Sequence, residues 1–434
     1  MGDLVQSTSL THTAERLRAG ASGVRENVTR TLERIAQVDR VVQAFVAEPG
    51  RTDRLVTAAR DLARRDPGPD GHPPLYGVPV GVKDIVHVDG LPTRAGSTLP
   101  AEVLAGGQAT VVDRLLRAGA LIAGKTVTAE FAVAAPGPTR NPHQPDHTPG
   151  GSSSGSAAAV AAGLVPLAIG TQTIGSLIRP AAYCGVVGFK PSHGRIPTDG
   201  VLPVSPTYDT LGTFTATAAD AALAASVLCD DWRPERATPG RPVLGIPDGP
   251  YLGCAEPEAL AAFDRQVTAL REAGYEVEKV PLFETFEQDA FALFVVNLYE
   301  LARAHADWFA RYEDRYDPRT ADAIRQGHGA RESDYADALR EREVFRDRLA
   351  RATAGYGIDL WIAPAATGPA PHGLDSAGDS VMSLPWSGAG LPCLTLPAGR
   401  SAAGLPLGLQ CAGRPGEDER LLRWARDLES ALPA

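Results

Sequence analysis

The sequence predicts an α/β fold in which a central sheet carries helices on both faces. Three observations lead there. Apolar stretches with a period of two alternate with stretches of helical period along the chain. Glycines and prolines such as Pro67, Gly71, Gly119 and Gly274 punctuate these stretches. Of the 434 residues, 44% are apolar and only 22% charged, enough to bury a large core. Strands that alternate with helices pair into a sheet that needs cover on both sides.

Residues 28–65 place Leu32, Ile35, Val38 and Val42 at helical spacing among charges, before Pro67, Gly68, Pro69 and Gly71 break the pattern. This gives a helical N-terminal lead-in, residues 1–65, packed on a catalytic domain of residues 66–434, with one domain overall. Val78, Val80 and Val82 then alternate up to Lys83, as in a strand that delivers Lys83 at its end. Residues 110–118 read as a helix stopped by Gly119, and residues 121–123 as the next strand. The Ala-rich residues 156–164 favour helix, and residues 165–169 a buried strand. After Pro257, Leu260, Phe263, Val267 and Leu270 recur at steps of three and four; Gly274 ends that helix before a strand at 275–280. Residues 238–241 form a composition break too weak to divide the chain, and no tandem repeat is present.

Bulk chemistry narrows the function classes. The net charge of −10 and the lack of a dense basic run with aromatics exclude nucleic acid as an expected partner. A small molecule fits better. Five cysteines without a CxxC pair argue against a disulfide framework or a zinc site and favour a reducing cytoplasm. The first ten residues, MGDLVQSTSL, show no export or lipid-anchor pattern. The most apolar window, 157–170, is about 14 residues long and broken by Gly163 and Pro166, short of the ~20 a membrane span requires, so no membrane association is expected. None of the nine histidines falls in a metal-ligand spacing, and no metal or other cofactor is expected.

One formal motif misleads. Residues 119–126 read GALIAGKT and satisfy the phosphate-loop pattern GxxxxGK[ST]. A phosphate loop follows a strand and opens a helix; here a helix precedes it and Leu121, Ile122 and Ala123 occupy the loop.

The informative stretch is 149–191, PGGSSSGSAAAVAAGLVPLAIGTQTIGSLIRPAAYCGVVGFKP. Its Ser/Gly cluster runs directly into a helix and a buried strand, which separates it from a flexible linker. Small residues let backbone amides approach a ligand closely. The cluster GGSSSGS at 150–156, the step of 24 residues from Ser152 to Ser176, and YGVPVGVKDI at 76–85 resemble the amidase signature family. GFKPSHGRIPTDG at 188–200 and GLPLGLQCAG at 404–413 are similar to further segments of it, so the resemblance covers about residues 25–430.

The resemblance implies the amidase signature fold, a large mixed, twisted central sheet, with Ser176 as nucleophile, Lys83 as base and Ser152 as relay behind a cis Gly151–Ser152 peptide. It implies an oxyanion hole from the backbone N–H groups of Thr173, Ile174, Gly175 and Ser176. The chemistry is coherent: a serine hydroxyl is a feeble nucleophile until a base takes its proton, and lysine is a base only when neutral, which calls for a dry pocket. The implied reaction is hydrolysis of a small carboxamide through an acyl-serine. Acyl transfer or amide formation from the same acyl-enzyme remains open; a non-catalytic binding protein and a glutamine amidotransferase subunit stand behind them. A homodimer is left open as the assembly.

The chain departs from the family pattern in places. Ile174 and Ser154 replace glycines, and a β-branched Ile174 resists positive φ. Gln172 stands where many members have Asp, and with Ser153 and Arg179 it is expected at the substrate. Arg179, three residues after Ser176 as in the malonamidase-like branch, could grip a substrate carboxylate or form an ion pair with Asp199 or Asp209.

Overall fold

The computed structural model of the chain describes residues 4–65, 68–234 and 240–433. Pro67 and residues 238–239 of the composition break lie outside them. Ten strands form one sheet: β1 (Pro79–Lys83), β2 (Leu121–Thr126), β3 (Leu167–Gln172), β4 (Val187–Lys190), β5 (Thr210–Thr215), β6 (Leu244–Asp248), β7 (Val277–Pro281), β8 (Leu360–Pro364), β9 (Cys393–Arg400) and β10 (Pro406–Ala412). Their order is β2-β1-β3-β5-β4-β9-β10-β8-β6-β7. Parallel pairs occupy both flanks, β2-β1-β3 and β8-β6-β7. The middle, from β3 through β5, β4, β9 and β10 to β8, is antiparallel. The sheet is therefore mixed.

Both faces are covered, and the pleat shows why. On β3, Leu167 and Ile169 enter one hydrophobic cluster and Ala168 another. On β8, Leu360 and Ile362 divide in the same way from Trp361 and Ala363.

The lead-in consists of helices Leu10–Arg18, Val24–Val42 and Arg51–Arg64, the first of which the periodicity did not anticipate. Leu10, Leu17, Val28 and Leu55 share a cluster with Val78, Val80 and Val82 around β1. The helix expected at 110–118 spans Thr110–Arg117, and that expected after Pro257 spans Pro257–Glu272. The phosphate-loop pattern dissolves: Gly124, Lys125 and Thr126 continue β2, and Lys125 Nζ pairs with Asp84 at 2.9 Å, both buried. No helix among the described residues is long and apolar enough to cross a membrane, and none of the five cysteines is paired.

Candidate active site

Lys83 ends β1, a strand whose five residues are all buried between parallel neighbours β2 and β3. Its Nζ donates to Ser152 Oγ at 2.8 Å and to Thr171 Oγ1 at 2.7 Å, and it forms no ion pair among the described residues. Burial holds the amine well below the ordinary lysine range, opposed by the charge of Asp209. A lysine in that state can accept a proton.

Ser152 lies in the loop before helix Ser154–Ala161, behind a cis Gly151–Ser152 peptide, and its carbonyl accepts from the Ala129 N–H at 3.0 Å. Gly150 has φ +80°, and a Cβ there would meet Pro180 Cα at 2.8 Å, so the Ser/Gly turn packs directly on the helix that follows Ser176. Ser176 lies four residues beyond β3 and is partly exposed. Its hydroxyl forms no hydrogen bond within the described residues; the direct bond observed is Lys83 to Ser152, not Ser152 to Ser176.

The loop carrying Ser176 is tied down from several elements. Gln172 Oε1 accepts from the N–H groups of Leu177 (2.8 Å) and Ile178 (3.0 Å), while its Nε2 donates to Ser387 Oγ at 2.9 Å. Ser387 Oγ in turn donates to the Ile174 carbonyl at 2.6 Å. Thr173 Oγ1 donates to Asp209 Oδ1 at 2.6 Å, and the Arg179 N–H to the Gly175 carbonyl at 3.1 Å. Those bonds take side chains and carbonyls; the N–H groups of Thr173, Ile174, Gly175 and Ser176 have no acceptor among the described residues.

Ile174 keeps negative φ, which resolves the tension of a β-branched residue in place of glycine. Its side chain packs against the hydrophobic cluster that contains Leu293, Val296 and Leu384, which the helix Phe286–Ala304 helps to build. Ser154 opens the Ala-rich helix and donates to the Val127 carbonyl at 3.3 Å.

Gln172 and Ser153, expected at the substrate, are both buried and hydrogen-bonded within the chain. Gln172 caps the helix Ile178–Cys184, and Ser153 Oγ donates to the Thr171 carbonyl (3.1 Å) and accepts from its N–H (3.3 Å), spending its hydroxyl on β3. Arg179 meets neither Asp199 nor Asp209. Its Nη2 donates to the Gly151 carbonyl at 2.7 Å, and its buried Nε has no partner among the described residues. Sequence reasoning missed Thr171 and Ser387, and named Asp209 only as an ion-pair partner for Arg179. A hydroxyl-bearing residue at the end of an apolar strand was a signal for Thr171; Ser387, 215 residues beyond Gln172, offered none.

The described residues hold no group of three or more His, Cys, Asp or Glu side chains able to bind a metal ion.

A buried lysine amine in hydrogen-bond contact with a serine hydroxyl, beside a loop whose backbone N–H groups lack acceptors among the described residues, defines the site. The sequence profile of the family described as Amidase matches residues 26–422, and the chain belongs to that family. It is 31% identical to a Glutamyl-tRNA(Gln) amidotransferase subunit of Synechococcus sp. (strain RCC307), over 96% of each chain. A crystal structure of an amidase superposes with TM-score 0.88 at 32% identity, covering 98% of this chain and 100% of the other. The native peptide amidase of Stenotrophomonas maltophilia gives 0.80 at 28% identity, covering 98% and 97%.

Proposed function

We propose that the protein hydrolyses a small carboxamide through an acyl-enzyme on Ser176. The observation that carries this reading is the buried Lys83 amine, free of ion pairs among the described residues and 2.8 Å from Ser152 Oγ. Neutral Lys83 takes the Ser152 proton as Ser152 takes that of Ser176, whose Oγ attacks the amide carbonyl carbon. The resulting oxyanion is received by the N–H groups of Thr173, Ile174, Gly175 and Ser176, of which a good donor is worth about 3 kcal/mol. The proton held by Lys83 returns through Ser152 to the leaving nitrogen as the C–N bond breaks. Water then enters, loses a proton along the same relay and attacks the ester carbonyl carbon; as the Ser176 Oγ–acyl bond breaks, that proton returns through Ser152 to Ser176 Oγ and the acid leaves.

Arg179 supports a substrate that carries a carboxylate, since its buried Nε has no partner among the described residues and lies on the helix that follows Ser176. Unpaired cysteines favour a cytoplasmic setting. The test is a fluorophosphonate probe with intact-mass analysis: one adduct, absent in Ser176→Ala, supports the reading, and a panel of amides assayed for ammonia release identifies the substrate.

A second reading follows from the relatives named as subunits of an amidotransferase. The chain would then release ammonia from an amide donor and work beside partner proteins. A net charge of −10 speaks against direct contact with RNA, so those partners would have to supply it. Ammonia release from glutamine that depends on an added partner protein would favour this reading over a free-standing hydrolase.

A further inference from the structure

Asp209, immediately before β5, has no part in the proton relay, yet its carboxylate joins the loop that carries Ser176 to a neighbouring turn. Its Oδ1 accepts from Thr173 Oγ1 at 2.6 Å, and its Oδ2 accepts from the N–H groups of Val204 (2.8 Å) and Ser205 (3.0 Å). Thr173 is the first of the four residues whose N–H groups lack acceptors among the described residues, so the carboxylate bridges the 204–205 turn and the loop that carries Ser176. We propose that Asp209 is a positioning residue: through Thr173 it holds the 173–176 donors where the oxyanion of the reacting amide forms, and it presents its charge to Lys83. This inference rests on the amide-hydrolase reading.

The surroundings make the arrangement specific. Glu300, on the helix Phe286–Ala304, accepts from Ser205 Oγ (2.6 Å), the Thr207 N–H (3.0 Å) and Tyr335 Oη (2.7 Å), fixing the turn from its far side. Desolvation and the nearby Glu300 push Asp209 up to about 6, with the Thr173, Val204 and Ser205 hydrogen bonds opposing. The charged groups acting on Asp209 are thus Lys83 from β1 and Glu300, with Arg342 beyond Glu300. Above pH 6 the ionised carboxylate favours the ammonium form of Lys83, and burial favours the amine. Asp209 therefore limits how far burial depresses the base.

The two roles separate by substitution. Thr173→Val removes the tether and leaves the charge, Thr173→Ser restores the tether, and Asp209→Asn removes the charge. The chain has only four lysines, Lys83, Lys125, Lys190 and Lys279, so 13Cε-lysine NMR can follow Lys83 directly, assigned with Lys83→Arg. Thr173→Val is expected to lower kcat by ~10–100-fold with KM within about threefold, and Thr173→Ser to recover most of it. Asp209→Asn is expected to lower the Lys83 titration midpoint by roughly a unit, a shift that Thr173→Val does not produce. A Thr173→Val enzyme with wild-type kcat, or an unchanged Lys83 midpoint in Asp209→Asn, overturns the inference. Should Asp209→Asn not fold, the Thr173 pair decides alone. Failure of the hydrolase reading is distinguishable, because wild type would then form no Ser176 adduct while the Lys83 titration stays measurable.

Discussion

Lys83 Nζ and Ser152 Oγ are 2.8 Å apart in a fully buried pocket, and the amine's other partner among the described residues is the Thr171 hydroxyl. A charged lysine there would be desolvated with no counter-ion in contact, whereas a neutral one is satisfied by two hydroxyls.

Removing a member of this unit is expected to be severe. Ser176→Ala should abolish turnover, and Lys83→Ala should lower kcat by ~10³-fold or more. Ser152→Ala is expected to retain a trace, since water can stand in for its hydroxyl. Steady-state ammonia release checks all three, and full activity in Lys83→Ala would sink the mechanism.

The pH profile follows from the same amine. Its folded-state pKa lies well below the ordinary 10.5, so the competent neutral form is populated at lower pH than free lysine allows. The value of kcat/KM for a neutral amide should rise with pH along one ionisation to a plateau and fade in acid. Lys83→Arg, which stays charged throughout, should lie flat near background. Retention of the wild-type profile by the arginine variant would exclude Lys83 as base.

Arg179 bears on selectivity. Charge-assisted hydrogen bonds contribute about 1.5–3 kcal/mol each, so Arg179→Met should cost ~10–100-fold in kcat/KM on amides that carry a carboxylate. Neutral amides should lose less, through the Gly151 contact alone. Equal losses on both substrate classes would show that Arg179 acts only on the Ser152 turn.

His305 gives a stability prediction. It is fully buried, its Nδ1 lies 3.0 Å from Tyr316 Oη, and its Nε2 has no partner among the rings of Phe131, Trp308 and Tyr316. Burial pushes its pKa down to about 4. The unfolded chain binds this proton near 6.5 and the folded chain only near 4, so the stability is complete above about pH 6.5 and drains away as pH falls toward 4. At 1.36 kcal/mol per unit the loss amounts to about 3 kcal/mol. Urea unfolding at several pH values should show this slope, flattened in His305→Gln; the same slope in both would assign it to other groups.

Glycine substitutions test the packing beneath Ser152. Gly150→Ala combines φ +80° with a Cβ 2.8 Å from Pro180 Cα and should cost about 2 kcal/mol or more as well as activity. Gly404→Ala, at the same φ with open space around it, should cost only the backbone strain of about 1 kcal/mol. Thermal unfolding of the two variants measures the difference.

The spacing of local features revealed the strand ending at Lys83, the Ser/Gly turn before an Ala-rich helix, and the step of 24 residues from Ser152 to Ser176. Each depends on neighbours in sequence: pleat alternation, helix propensity, and the need for small residues where backbones approach. The bonds made by Gln172 and Ser153 were not legible, for the opposite reason. A polar side chain beside a nucleophile looks the same in sequence whether it faces a ligand or its own backbone, and only the packing of β3 against the helix Ile178–Cys184 consumed their hydrogen bonds. The antiparallel centre of the sheet, the hold of Ser387 on Ile174, and the meeting of Asp209 with Thr173 likewise arose from chain segments far apart in sequence. The residue types and their order determined which groups are available for chemistry; burial and long-range hydrogen bonding decided their environment and their partners.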